Sequence, residues 1–294
     1  MSDIIVRPRR SVLYMPGSNA RAMEKARDIA ADVLILDLED AVAPDAKEEA
    51  RAQVIAAVNA GGYGKREICI RVNGLDTPWG MDDIKAAVAA KPDAILVPKI
   101  NSASDVKRAD KALSDAGAPA SLQLWCMIET PLAILNIQAI AAEASSTRMT
   151  LWVMGTNDIA KELRAAHTAD RMPMLTSLGL SIIAARAYGL AALDGVYNDI
   201  KNEEGFAAIC EQGRDMGFDG KTLIHPSQVA PCNTIFSPDP ETVDFARKTI
   251  EAFTLPENKG KGVLKVEGRM VEILHAEIAK RTVAVADAIA ELEA

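Results

Sequence analysis

Histidine and cysteine are scarce in this sequence, three and four among 294 residues. The cysteines, Cys69, Cys126, Cys210 and Cys232, stand far apart and form no C-x-x-C pair. Three of them fall inside apolar or helical segments. That spacing argues against a zinc centre or a disulfide framework and for buried bystander thiols. Among the histidines only His225, restrained by Pro226, invites a role, and a packed or hydrogen-bonded ring fits it better than a general base. His167 and His275 carry no usable signal. Long apolar runs are missing too. No stretch reaches the ~18 residues of a membrane span, and the first ten residues have no apolar h-region, so a cytoplasmic protein without a membrane partner is expected. Positive charge is in deficit, with 33 Lys and Arg against 41 Asp and Glu and a net charge of −8. Nucleic acid and acidic membrane surfaces therefore find no electrostatic footprint. A polyanionic ligand must be met by a few local basic groups.

What the sequence does have is rhythm. Runs rich in Val, Ile and Leu recur near 11–15, 33–37, 67–72, 94–98, 122–128, 149–154, 191–196 and 220–224. Most lack period-2 alternation, as parallel strands buried on both faces do. Amphipathic stretches near 20–31, 44–59, 81–90, 103–116, 131–143, 176–188 and 202–216 separate them and read as helices. Eight strand–helix repeats predict an α/β protein, a (β/α)8 TIM barrel, with a doubly wound open sheet as the alternative. One large domain of about 250 residues plus an appendage suits the length. The expected division is a catalytic barrel over 1–238 and a C-terminal helical arm over 239–294. In that arm a helix near 240–253 precedes a Gly/Lys-rich loop, 258–262, and a helix from about Met270 to Leu292. Leu274, Ile278, Val285, Ile289 and Leu292 share one face of the last helix, so it packs on something. A lid reaching a neighbouring subunit and a helix closing its own barrel are both open.

The strand ends carry the polar residues. The second ends in Asp37-Leu38-Glu39-Asp40, the third in Arg71-Val72-Asn73-Gly74, the fourth in Pro98-Lys99. The fifth ends in Ile128-Glu129-Thr130-Pro131, the sixth in Gly155-Thr156-Asn157-Asp158, the eighth in Ile224-His225-Pro226. In a barrel these ends open onto one face, where active sites sit. Five carboxylates and two strong cations converging there need pairing or a metal, because an isolated buried charge is costly. Glu129 and Asp158 end neighbouring strands with no His or Cys nearby, an all-oxygen donor set that suits Mg²⁺. The alternative is that each pairs with Arg or Lys across the mouth. Asp37, Glu39 and Asp40 fit partners for Arg71 or Lys99, or acceptors for metal-bound water. Arg71, always charged and forked, suits a carbonyl or carboxylate oxygen and the negative charge that builds there. A salt bridge to Glu39 or Asp40 does not exclude that role. Between the first strand and helix, Pro16-Gly17-Ser18-Asn19-Ala20-Arg21 offers a tight turn and a helix cap, with Arg21 and Lys25 placed to assist an anion.

Taken in order, these motifs resemble the CitE-like CoA-ester lyases of the HpcH/HpaI aldolase superfamily. The likeness spans nearly the whole chain and rests on Arg10-Ser11-Val12-Leu13-Tyr14-Met15-Pro16-Gly17, Asp37-Leu38-Glu39-Asp40-Ala41-Val42, Arg71-Val72-Asn73-Gly74, Ile128-Glu129-Thr130-Pro131 and Gly220-Lys221-Thr222-Leu223-Ile224-His225-Pro226. The resemblance implies Mg²⁺ at Glu129 and Asp158 and an oxyanion-stabilising Arg71. It implies CoA and acyl contacts at Tyr14, Lys25, Glu129, Asn157, Ile224 and His225. It also implies a homo-oligomer, trimer or hexamer, whose C-terminal arm covers a neighbour's active site and brings it an acid or base. That group is usually an aspartate after a Gly-Lys/Arg-Met/Leu-hydrophobic pattern. Here the pattern reads Gly268-Arg269-Met270-Val271-Glu272, so a glutamate stands there, its carboxylate displaced by roughly 1 Å, enough to change a rate. Asn19 likewise stands where malyl-CoA lyases usually have arginine.

The expected activity is Mg²⁺-dependent cleavage of a 3-hydroxyacyl-CoA, of malyl- or citramalyl-CoA type, into an acyl-CoA and a 2-oxo acid by enolate chemistry. The first alternative is a malyl-CoA thioesterase at the same metal site, with Glu272 directing water. The second is a citrate lyase β-type subunit that needs an acyl-carrier partner.

Overall fold

The computed structural model describes residues 6–294, so the first five residues of the segment expected to lack a leader lie outside it. Eight parallel strands form one closed ring. They are β1 Ser11–Pro16, β2 Val33–Asp37, β3 Glu67–Arg71, β4 Ala94–Val97, β5 Gln123–Ile128, β6 Met149–Met154, β7 Ala191–Asp194 and β8 Gly220–Leu223. The ring closes where Ser11, Val12 and Leu13 pair with Lys221, Thr222 and Leu223. The expected barrel is therefore present, with strand limits within two residues of those read from the sequence.

Successive side chains alternate across the strand, and here they divide into two packed sets. Val12, Val33, Ile35, Cys69, Ala94, Leu96, Trp125, Leu151, Val153 and Leu193 form a cluster of their own. Their strand neighbours Leu13, Leu34, Leu36, Ile70, Ile95, Leu124, Cys126 and Trp152 join the larger cluster with residues of the flanking helices. Burial on both faces is the reason the strands read as continuous apolar runs. All four cysteines are free and buried in these layers.

The helices are α1 Ala20–Lys25, α2 Lys47–Ala60, α3 Gly80–Ala90, α4 Ala103–Asp115, α5 Pro131–Leu135, α6 Ile137–Ala142, α7 Thr156–Leu163, α8 Leu175–Ala187, α9 Glu203–Met216 and α10 Val229–Phe236. Several differ from expectation: α1 ends at Lys25 and gives way to a 3-10 turn, Ala26–Asp28, and α10 was not foreseen. The stretch 131–143 is not one helix but two, broken at Asn136, whose amide donates to the Asn101 carbonyl at 2.9 Å. And the polar end of the sixth strand is the first turn of a helix, α7, so Asn157 and Asp158 sit on helical backbone.

The chain divides into two compact units, with residues 9–236 in one and Ser237–Ala294 in the other. In the second unit α11 (Pro240–Thr254) packs against α12 (Ile273–Glu293), and between them lies an antiparallel hairpin, β9 Val263–Val266 and β10 Arg269–Glu272. The final helix therefore starts at Ile273, and Met270 is on a strand. Glu267 and Gly268 both have positive φ, 47° and 84°, the two-residue turn that suits a twisted hairpin. Leu264, Val266 and Val271 pack with Phe245, Ala252 and Phe253 of α11. On α12 the buried residues are Ala276, Ala279 and Ile289. Leu274 and Ile278, expected on the packed face, are exposed together with Met270 and Ile273. The small alanines make the close seam with α11, which leaves the larger side chains outside it. No helix among the described residues is long and apolar enough to cross a membrane.

One buried charge cluster ties the last strands together. Register places Asp194 beside Lys221, with Lys221 Nζ 2.9 Å from Asp194 Oδ2 and fully buried. Arg171 Nη1 donates to both Asp194 oxygens at 2.7 Å. Burial alone would raise the Asp194 carboxyl, but Lys221 and Arg171 outweigh it and hold it below its ordinary range. Replacing Asp194 with alanine leaves these cations without their shared anion. Asp194→Ala should therefore cost about 3–5 kcal/mol of stability, read by urea unfolding at neutral pH. A loss under about 1 kcal/mol would show that the cluster does not hold the β7–β8 junction.

Candidate active site

Polar residues gather at the C-terminal rim of the ring because parallel strands end together there. In the β2–β3 register the last residues, Asp37 and Arg71, are direct partners. Arg71 Nε donates to Asp37 Oδ1 at 2.7 Å and Nη2 to Asp37 Oδ2 at 2.6 Å, a two-bond fork. Its other arm, Nη1, lies 2.9 Å from Glu39 Oε2 and 3.4 Å from Asp40 Oδ2. The guanidinium carbon stands 4.8 Å from the centre of the Tyr14 ring. Asp37 also accepts from the backbone N–H groups of Glu39 and Ala41. Lys47 Nζ donates to the carbonyls of Leu38 and Glu39, and Asn73 Nδ2 to that of Leu38. The acidic turn is thereby braced from three sides.

Crowding of like charge leaves its mark on Glu39. Burial, opposed by Arg71 and reinforced by Asp40 and Glu129, pushes its carboxyl up to about 7. Burial would weaken the charge on Arg71, but Asp37, Tyr14 and Glu39 more than restore it and hold the guanidinium charged. The Tyr14 hydroxyl is buried without a hydrogen-bond partner, and burial pushes its ionisation up despite Arg71.

Across the mouth, Glu129 and Asp158 face a common cation. Lys99 Nζ lies 3.3 Å from Asp158 Oδ1 and 3.8 Å from Glu129 Oε1, and the Lys99 backbone N–H donates to Glu129 Oε1 at 2.6 Å. Glu129 is 1% exposed. Burial raises its carboxyl, with Lys99 opposing. Gly155 makes room for it, since a Cβ there would stand 2.3 Å from Glu129 Cβ. The ion-pair alternative for these two acids is thus present, through Lys99. The sequence left Lys99 open as a partner for the Asp37–Asp40 turn or for Glu129 and Asp158; the fold aims it at the latter pair, from a left-handed backbone (φ 59°) after β4.

Among the described residues no group of three His, Cys, Asp or Glu side chains forms a metal centre. Two hard anionic oxygens that already share one cation are nonetheless a chemically apt donor set for Mg²⁺, which keeps waters and substrate oxygens in its remaining positions.

A cavity of about 300 Å³ opens between the two charge clusters. Tyr14, Arg71, Asn157, Asp158 and Ile224 line it, with Asp37, Asp40, Met127, Met154, Asn198 and Thr222. Seven of the residues singled out from sequence, Asp37 and Asp40 among them, therefore share one wall system, and Glu129 lies outside that lining. Asn198 was not foreseen; its side-chain amide exchanges hydrogen bonds with Asn157, at 2.8 and 3.2 Å. A loop asparagine with no motif around it gives no sequence signal. Lys25, on the exposed side of α1, and His225 are outside the lining. His225 is exposed, its Nδ1 bound by the Ser227 backbone N–H and 2.8 Å from its hydroxyl. Asn19 caps α1 through the Ala22 N–H. Glu272 belongs to the second unit, where it is the N-cap of α12 in a capping box with His275.

A closed (β/α)8 ring carries acids, one forked arginine and a cation-sharing carboxylate pair at its C-terminal rim, the face on which barrels of this kind place their active sites. The profile of the HpcH/HpaI aldolase/citrate lyase family matches residues 10–226, and the chain belongs to that family. It is 50% identical over 287 residues, 98% of either chain, to a (3S)-malyl-CoA thioesterase of Cereibacter sphaeroides. It is 34% identical over 271 residues, 90% of this chain and 89% of the relative, to the citrate lyase subunit beta of Leuconostoc mesenteroides. Among solved structures, CitE from Mycobacterium tuberculosis in complex with magnesium, acetoacetate and coenzyme A aligns with a TM-score of 0.74 at 26% identity, covering 94% of this chain and 97% of that one.

Arg71 opposes the upward shift of the Glu39 carboxyl. Arg71→Met should raise the Glu39 titration further above about 7, followed by carboxyl-carbon NMR. An unmoved Glu39 titration would mean that Arg71 does not set its charge.

Proposed function

We propose that this protein is a magnesium-dependent thioesterase acting on a malyl-CoA-type thioester, releasing CoA and the free hydroxydicarboxylate. Half-identity over almost the whole length to a malyl-CoA thioesterase carries this reading. It places hydrolysis ahead of carbon–carbon cleavage, which the motifs alone had put first. The citrate lyase relatives favour the lyase as the second reading. A solved relative that holds magnesium and coenzyme A supports both cofactor and substrate class.

In this proposal Glu129 and Asp158 hold the magnesium ion. When bound, it supplies Lewis acidity to substrate oxygens. Arg71 faces the thioester carbonyl and stabilises the negative charge that develops on its oxygen, which a guanidinium fixed by Asp37 does without reorganising. Tyr14, Ile224 and the Asn157–Asn198 pair shape the wall against which the acyl end lies. Lys25 and His225, exposed and outside the lining, suit the distal CoA phosphates and not the reacting carbon. Glu272 takes a proton from water as the water oxygen bonds to the acyl carbon. The carbon–sulfur bond then breaks, and CoA leaves as a thiolate that regains a proton.

Glu272 is proposed to act in a neighbouring copy, within a homo-oligomer built as a trimer or hexamer. Exposed Met270, Ile273, Leu274 and Ile278 on the arm give it an apolar face to bury there. A cytoplasmic location belongs to the same proposal.

Purified protein with Mg²⁺ and malyl-CoA should yield free CoA and malate by mass spectrometry. Acetyl-CoA and glyoxylate as the main products would establish the lyase instead, and turnover without an acyl-carrier partner excludes the subunit reading. Glu129→Gln should lower kcat on the order of 10²-fold or more and abolish Mg²⁺ dependence. Retention of both would place the metal elsewhere.

The arm has its own test. Glu272→Gln and Glu129→Gln, each inactive, should regain part of their activity when unfolded and reassembled together, because some mixed sites then hold both intact residues. No recovery despite proven subunit mixing would return Glu272 to its own barrel.

A further inference from the structure

Lys99 is held more firmly by its backbone than by its side chain. A φ of 59° puts it in the left-handed region, which residues with a Cβ disfavour, and such positions persist where the surroundings over-determine them. Here the conformation lets one residue grip Glu129 twice, through its N–H at 2.6 Å and its ammonium at 3.8 Å. The same ammonium reaches Asp158 at 3.3 Å. Among the described residues, no other lysine or arginine makes an ion pair with either acid. Yet the Lys99 side chain is 47% exposed, whereas that of Glu129 is 1% exposed. The ammonium can leave for water without burying anything, and the carboxylate cannot move with it. A hydrated point charge on a flexible stem is suited to leaving in this way.

We infer that Lys99 is an exchangeable counter-ion for the Glu129–Asp158 pair: it keeps the two carboxylates spaced and aimed, and a divalent cation displaces its ammonium on binding. This rests on the proposed placing of Mg²⁺ at Glu129 and Asp158. The N–H bond to Glu129 persists through the exchange, so the acid stays oriented while its cation changes. Two demands are met by one residue. Without the ammonium, two anions near one point would repel each other. With it, the divalent ion must compete, so its affinity is set lower than the donor set alone would give.

The test uses the full-length protein, stripped with chelator and titrated with Mg²⁺ by calorimetry. Lys99→Met should bind Mg²⁺ on the order of tenfold more tightly than wild type. Lys99→Gly, which removes the ammonium and suits the left-handed backbone, should show the same gain if the methionine variant folds poorly. In wild type, acetylation of Lys99 by acetic anhydride, read by peptide mass spectrometry, should rise severalfold on adding Mg²⁺ as the amine is freed. In Glu129→Gln that rise should vanish. If wild type binds Mg²⁺, Glu129→Gln abolishes binding, and yet the Lys99 variants bind no tighter or Lys99 acetylation stays flat, the exchange is overturned while the metal placing stands. If Glu129→Gln binds Mg²⁺ as wild type does, or wild type binds none, the metal placing fails and the exchange with it.

Discussion

Closing eight parallel strands into a ring forces every strand to end at the same rim, and that rim must then accommodate whatever charges the strand ends carry. Asp37, Glu39, Asp40, Glu129 and Asp158 meet there against the two cations that pair with them, Arg71 and Lys99. Acids outnumber bases. Burial, with Asp40 and Glu129 adding to it, pushes Glu39 up to about 7 although Arg71 stands beside it. A rim with unmatched negative charge is a place where a divalent cation is stabilised, and Lys99 is the cation it would have to displace there.

The two cations divide the work by their chemistry. Arg71 is locked, with Nε and Nη2 committed to Asp37, Nη1 beside Glu39 and Asp40, and its guanidinium over the Tyr14 ring. Such a group serves as a fixed positive field for a developing oxyanion. Lys99 is loose at its tip and fixed at its backbone, so its charge can be exchanged without disturbing Glu129. A swap of the two residue types would ruin both functions, because lysine has no fork and arginine is poorly suited to a compact, vacatable position. Under the proposed exchange, the cation-pairing and the metal-binding readings of Glu129 and Asp158 are two occupancies of one site.

Much of this was legible from residue types alone. The eight apolar runs were readable because parallel strands buried on both faces tolerate little else, and the rim acids because polar groups at the ends of such runs have few other reasons to be there. What escaped was local. Gly155 is an unremarkable cap for a helix, so α7 looked like the tail of a strand. Asn136 breaks 131–143 by bonding Asn101, a partner remote in sequence. The Glu267–Gly268 turn was a readable signal, two turn-tolerant residues between short alternating runs, but an alanine-rich helix following it masked the hairpin. Lys99 was seen as a charge near the mouth, and its direction was invisible because only the left-handed backbone sets it.

The position of Glu272 joins the arm's folding to the proposed chemistry. It ends β10 and caps α12, so the strand fixes its backbone while the capping box with His275 anchors the helix start. Capping alone favours shorter side chains, with aspartate among the best and glutamate not among them. A glutamate at an N-cap therefore gives up some local stability, and a demand for reach accounts for the choice. One further methylene moves a carboxylate by roughly 1 Å, a distance that decides whether a base meets a carbon-bound proton or a water beside the thioester carbon. In the proposed thioesterase reading, the glutamate standing where the resemblance implies an aspartate is the residue that turns the site toward hydrolysis, with the cost of its length borne by the first turn of α12.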